Sequence, residues 1–348
     1  MTELHSQHWV TSRIVTDADG FWGHPLVRSI LVYGTPANLF LATVVLLRGA
    51  VISTNFLAAI ASGIIWLNAS GYLIWYYDER VLPRFFSQAT SLFTDTDRVK
   101  QLQAKYDAFF SEYHLIPVVV WIALLVALFF GSEPYLVSNG LFEAGSPLRY
   151  LYLGSVFYLG YMSGVGFSGV VTTILAVREL QDIDLKVDPL DPDGLGGLST
   201  IGYFSIRTTL TFSTGSLLLP LAFIFVRGNA PPWLVFVIVA GFTGTILVSF
   251  LYPTRLINKK AQQHRDSRLE ELRKEYREAK ADALNYSEIR SADENTELIK
   301  RMELDRVRQE YQDYQNLRLY PFQINILLKL VSSLILPIFF LVIDSYVL

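Results

Sequence analysis

FQINILLKLVSSLILPIFFLVIDSY, residues 322–346, is an apolar run of bilayer-crossing length whose polar residues fall on a single stripe. Asn325, Lys329, Ser332 with Ser333, Leu336, Phe340 and Asp344 follow one another at three- or four-residue steps, so on a helix they share a face. Ile326, Leu330, Leu334, Phe339 and Leu341 cover much of the remainder. Polar groups at membrane depth are costly and tend to face a cavity or a bundle interior. Arranged around an axis with copies of itself, this helix would line an inner vestibule with Asn325, Lys329, Ser332 and Ser333. Leu336 and Phe340 would form an apolar collar closing by dewetting, and Asp344 an outer acidic ring. Pro337, beside the collar, permits a kink. Each residue also has a plainer role. The Lys329 stem can snorkel to the surface, Asp344 can sit among headgroups, and membrane serines commonly bond back to their own helix.

Upstream, residues 253–320 hold roughly half of all Lys, Arg, Asp and Glu in the chain, which leaves the rest poor in charge. With 348 residues, 51% hydrophobic and 14% aromatic, the composition is too apolar and too uneven for an ordinary soluble domain. Seven apolar runs of about twenty residues can cross a core roughly 30 Å thick: 26–47, 55–77, 115–130, 148–177, 204–226, 233–251 and 322–346. The expected fold is an all-α, multi-pass membrane protein of seven transmembrane helices. Residues 1–253 form a six-span region with short helical loops, 254–320 a helical anchor hairpin, and 321–348 the closing span.

Lys and Arg set the orientation. Arg80, Arg84, Arg98, Lys100 and Lys105 follow the second span, Arg178 and Lys186 the fourth, and fifteen more the sixth, whereas the other side has little beyond Arg48, Arg149 and Arg227. The amino terminus is expected to be cytoplasmic and the carboxyl terminus outside, in a plasma or cell membrane. Thr94 or Thr96 is the expected cap of a helix whose apolar face is Val99, Leu102, Tyr106, Phe109 and Tyr113. Beyond the sixth span, Leu269, Leu272, Tyr276, Ala279, Ala283 and Tyr286 repeat at helical spacing, as do Leu304, Val307, Tyr311 and Tyr314. This predicts a hairpin whose first arm is about 50 Å long. In the fourth span Gly160 and Gly164 form a small-xxx-small pair that predicts close helix packing.

Several function classes are excluded or disfavoured. A net charge of −3 and no unbalanced basic cluster argue against nucleic acid as a partner. Without cysteine there is no thiolate metal site or disulfide. His5, His8, His24, His114 and His264 stand in no metal-ligand pattern, no nucleophile motif or phosphate loop appears, and neither an enzyme nor a bound metal or cofactor is expected. Residues 182–202, rich in Asp and Gly, fit a turn better than a calcium loop, since Pro189 and Thr200 stand where ligands should be. Gly164, Gly166 and Gly169 match a dinucleotide fingerprint only formally, having no preceding strand. Three readings remain open: an ion channel, a non-conducting scaffold or sensor, and a small-solute transporter, for which Arg207 and the hydroxyl-rich 208–216 would line a polar route.

The layout resembles the insect odorant and gustatory receptor ion-channel superfamily and its distant relatives. It shares seven spans, a short first outer loop, long helical cytoplasmic extensions and a last span entered from a soluble helix. The resemblance covers the whole chain in layout. Insect members often carry Thr-Tyr followed by Gln-Phe in the last span, where this chain has Tyr320, Pro321, Phe322 and Gln323. The resemblance implies a homo-oligomer, normally a tetramer, whose seventh spans line an ion pore with Leu336 and Phe340 as gate. It also implies a small hydrophobic ligand held among the second, third, fourth and sixth spans. There Phe129, Phe157, Tyr158, Tyr161 and Phe236 would supply aromatic walls, beside Phe56, Tyr150, Tyr152 and Trp233, of which Tyr150, Tyr152 and Trp233 fit an interfacial belt better.

Overall fold

The computed structural model describes residues 9–14, 21–49, 52–143, 145–191, 196–226, 233–287 and 294–317, and positions 328, 331, 332, 335 and 339 of the closing run. Within these, the side chains of 55, 224–226, 233–238, 282–287, 294, 296 and 297 are left undescribed. All named elements among the described residues are helical, and the one strand-like feature is an isolated bridge between Phe93 and Leu185. Among the described residues, four helices are long and apolar enough to cross a membrane: Pro25–Arg48, Phe56–Ala89, Thr96–Ser138 and Pro147–Leu180. The chain is an all-α membrane protein.

A short helix α1 (Trp9–Ile14) precedes α2 (Pro25–Ser29), which runs through a π segment at Ile30–Gly34 into α3 (Thr35–Arg48). The π turn sits where this helix meets α4 (Thr54–Tyr76). Asn38 and Asn68 exchange two amide hydrogen bonds of 3.0 Å across the contact, and Ser29 donates to the Asn68 carbonyl at 2.7 Å. An amide carries both donors and an acceptor, and these two satisfy each other across the helix contact. Ser53 caps α4 by accepting from the Phe56 amide. The helix does not end at Tyr76 but continues through a second π segment, Tyr77–Val81, into α5 (Leu82–Ala89).

α6 (Thr96–Glu112) is capped by Asp95, whose carboxylate accepts from the Arg98 amide at 2.9 Å, rather than by either flanking threonine. A carboxylate adds favourable charge at a helix start, which a hydroxyl does not. Val99, Leu102, Tyr106 and Phe110 form its buried face. Phe110 takes the place expected of Phe109, and Tyr113 is exposed because the helix is interrupted there before α7 (Leu115–Ser138).

α8 (Pro147–Leu180) is the central helix, with 67% of its most apolar window buried against 17% for α6–α7. Its small residues make that possible. A Cβ on Gly160 would lie 3.2 Å from the Ile122 backbone, and one on Gly164 only 2.8 Å from that of Val118. α7 and α8 therefore pack backbone to backbone, as the small-xxx-small spacing predicts. At their far end Arg149 and Glu133 form a two-pronged ion pair of 2.5 and 3.1 Å.

The apolar run 204–226 is broken. It forms α9 (Ser199–Ser213), a 3₁₀ turn at Thr214–Leu218 and α10 (Leu219–Val226). Pro220 has no amide proton and Gly215 lowers helix propensity, so the turn tightens between them. The run 233–251 instead opens a single 55-residue helix, α11 (Trp233–Ser287), which continues through Pro253 to a length of about 80 Å. α12 (Glu294–Asn316) packs back along it, with Leu272 and Val307 buried. Arg268 is held by Glu310 at 2.8 Å and Glu271 at 3.0 Å, bonds that push its pKa further up. α12 thus packs against the second half of α11, whose first half is the apolar run 233–251.

The segment between α8 and α9 fastens this helix pair to the bundle. Ile183, Leu185 and Val187 are buried on alternate residues, and the Lys186 amide donates to the Leu92 carbonyl at 2.8 Å. Lys260 of α11 donates to the carbonyls of Gln181 and Ile183 just past the α8 C-terminus, where a cation is favoured. Tyr314 reaches the Val187 carbonyl at 3.3 Å. Gly196 and Gly197 have φ of 67° and 87°, which side chains resist, and they close this turn.

Candidate functional site: an apolar cavity between the helices

Asn325, Lys329, Ser333, Leu336, Phe340 and Asp344 lie outside the described residues. Ser332 is described: it is exposed, and its hydroxyl donates to the Leu328 carbonyl of its own helix at 2.8 Å. Leu328, Val331, Ile335 and Phe339 are helical and 59, 52, 57 and 52% exposed. Their spacing of three and four residues puts them on one face, with Ser332 at its edge next to the expected polar stripe. This face is not buried within the chain.

A cavity of about 460 Å³ is lined by α4, α6, α7, α8, α9, α10 and α11. Its aromatic lining comes from Trp66 of α4, Tyr77 of the π segment that continues it, Phe110 of α6, Trp121 of α7, Phe167 of α8, Phe212 of α9 and Phe242 of α11. Trp121 stacks on Phe167 with centroids 5.2 Å apart, and Phe212 stacks on Phe242 at 5.0 Å. Leu124, Leu128, Met162 and Leu218 fill in between. Gly166 and Gly241 also face it, and a Cβ built on either meets nothing within 4 Å. The cavity persists partly because these two positions carry no side chain.

The few polar groups in the wall are already engaged. Ser70, Ser163, Thr211 and Thr245 each donate to a carbonyl of their own helix at 2.7–2.9 Å. Tyr77 and Thr208, also in the wall, are joined through the buried Thr173 hydroxyl by links of 2.9 and 3.1 Å. Thr209 pairs with Ser249 at 2.9 Å, fixing α9 to α11. With these protons committed locally, the cavity selects an apolar occupant by shape and surface. No charged side chain lines it.

The aromatic residues expected from the layout take other places. Phe129 is buried against Phe130 and Phe142 at the far end of α7. Phe157 is half exposed on the outside of α8. Tyr158 donates to the Tyr33 carbonyl at 2.5 Å, and the Tyr161 hydroxyl lies 3.4 Å from His114 Nε2. None of these four is in the cavity wall, and the Phe236 side chain lies outside the described residues. The wall instead draws its aromatics from six helices, at Trp66, Tyr77, Phe110, Trp121, Phe167, Phe212 and Phe242. Among the described residues no group of three or more His, Asp or Glu could hold a metal ion.

Comparison with protein-family models, with curated proteins and with solved structures returns no match.

Proposed function

We propose that this chain is the subunit of a homo-oligomeric ion channel, tetrameric by analogy of layout, whose closing helix faces a shared central pore. In this reading the chain crosses a cell membrane seven times, with its amino terminus in the cytoplasm, and α11 and α12 form a cytoplasmic anchor. The observation that carries it is the bare face of the closing helix. Leu328, Val331, Ile335 and Phe339 are each more than half exposed in the single chain, beside a stripe of polar residues. An apolar face suits lipid as well as a neighbouring subunit, but the adjoining stripe with Lys329 and Asp344 needs water, and an axial pore supplies it.

The anchor supports the same reading. Leu298, Ile299 and Met302 of α12 are 59, 64 and 65% exposed, although they stand on a helix otherwise covered in charge. A second copy of the hairpin is a fitting cover.

The cavity adds a receptor role: an apolar small molecule bound among α4, α6, α7, α8, α9, α10 and α11 would bias the pore by preferring one packing of those helices. A scaffold reading draws on the hairpin alone and leaves the cavity and the polar stripe unused. Planar-bilayer recording of purified protein separates these readings. Leu336→Ala or Phe340→Ala, by shrinking the apolar collar, should raise resting conductance at least tenfold over the wild type. Silence from the wild type and both variants would overturn the channel.

A further inference from the structure

Away from the cavity and the closing helix, a pocket of about 230 Å³ opens between α5 and α9. Arg84 and Gln88 enter it from one turn of α5, and Thr200, Tyr203 and Arg207 from one face of α9. Its floor is apolar: Phe85 and Phe204 are buried and stack face to face, 3.9 Å apart and 7° from parallel. The two arginines therefore reach a common recess from opposite helices whose approach is fixed by a rigid aromatic contact. Neither guanidinium forms an ion pair with a described acid. That contrasts with Arg149 and Arg268, each held by carboxylates. Two like charges converging without a counter-ion repel, so the arrangement is stable only with an anion between them or with water screening both.

We propose that this pocket binds a phosphate group, with Arg84 and Arg207 as paired clamps. A guanidinium presents a planar fork of donors that matches phosphate oxygens two at a time, which an ammonium does not. Gln88 and Thr200 add neutral donors at the rim. The volume falls below the roughly 300–1,000 Å³ of drug-sized sites, so it suits a compact head group and not a bulky molecule. The level is right for one. Phe56–Ala89 is 34 residues of near-continuous helix, about 50 Å, so it overshoots a core of roughly 30 Å and carries Arg84 toward headgroup depth. Tyr72, Trp75 and Tyr76 lie two to three turns earlier, as an interfacial aromatic belt would, with Arg80 over the Trp75 ring at 5.7 Å. A lipid headgroup and a soluble phosphate ester offer the same chemistry here. The site stands on its own whether or not the chain conducts.

The test is thermal unfolding of the full chain in nanodiscs, followed by tryptophan fluorescence. One arm compares phosphatidylcholine discs with discs containing phosphatidate. The other compares inorganic phosphate with chloride at equal ionic strength in phosphatidylcholine discs. A rise in Tm is expected in at least one arm. In the R84Q/R207Q double variant it should vanish, or need at least tenfold more phosphate, while Arg80→Gln, a charge outside the pocket, should keep it. Gln88→Trp fills an exposed position with both arginines intact and should also abolish the rise, which covers the case of a poorly folded double variant. A rise with phosphatidate alone assigns a lipid headgroup, and one with inorganic phosphate alone a soluble ester. No rise in either arm, or a rise undiminished in Gln88→Trp, overturns the site.

Discussion

Two glycines of α8, two residues apart, carry opposite consequences. At Gly164 a Cβ would lie 2.8 Å from the Val118 backbone, which cannot step aside as a flexible side chain does. At Gly166 it would enter the empty part of the cavity. Gly164→Val should therefore cost about 1–3 kcal/mol through overpacking, visible as a lower Tm in detergent, whereas Gly166→Ala should leave Tm unchanged or slightly higher. A fall for Gly166→Ala equal to that for Gly164→Val would refute this division. The first glycine was legible in the sequence, since the Gly160 and Gly164 spacing implies a close approach. The second was not, because a void is made by missing atoms from several helices. Its aromatics, Trp66, Tyr77, Phe110, Trp121, Phe167, Phe212 and Phe242, are scattered along the chain, and nothing in their local spacing marks a shared cavity. The Asp95 cap escaped similarly: Thr94, Asp95 and Thr96 are all good caps, and only backbone geometry chooses among them.

At the scale of elements, periodicity gave the helices and their faces, while continuity was hidden. Hydropathy changes sharply near Pro253, which reads as a boundary between a membrane run and a hairpin arm, yet the backbone hydrogen bonding of α11 continues across it. A proline inside a helix removes one bond and tilts the axis without ending the helix when both flanks are well packed. Conversely, 204–226 reads as one uninterrupted run and is split by the 3₁₀ turn at Thr214–Leu218. On α12, Leu298 and Met302 present apolar surface that nothing in the single chain covers. The double variant L298E/M302E should lower the oligomer mass seen by light scattering in detergent while leaving helix content unchanged. An unaltered mass would show that this patch is not a subunit contact.

For the whole molecule, the cavity gives the most direct handle on ligand binding. Its wall is apolar and its hydroxyl protons are engaged, so an uncharged fluorescent probe such as 1-aminoanthracene should bind, and a charged analogue of similar size should not. Gly241→Leu, which projects into open space on α11, should weaken that binding at least tenfold with little change in Tm. Equal binding by the variant would place the probe elsewhere. All-helical membrane character was readable from composition and apolar run length. The cavity belongs to tertiary packing, which no single run of sequence records.

α11 carries part of the cavity wall at Gly241, Phe242 and Thr245, and the same unbroken rod extends past Lys260 to the contact with α12. A stiff beam about 80 Å long amplifies angle into distance: a swing of roughly 5° at one end carries the other about 7 Å. Whatever grips the distal tip therefore levers on the chamber, and whatever enters the chamber steers the tip.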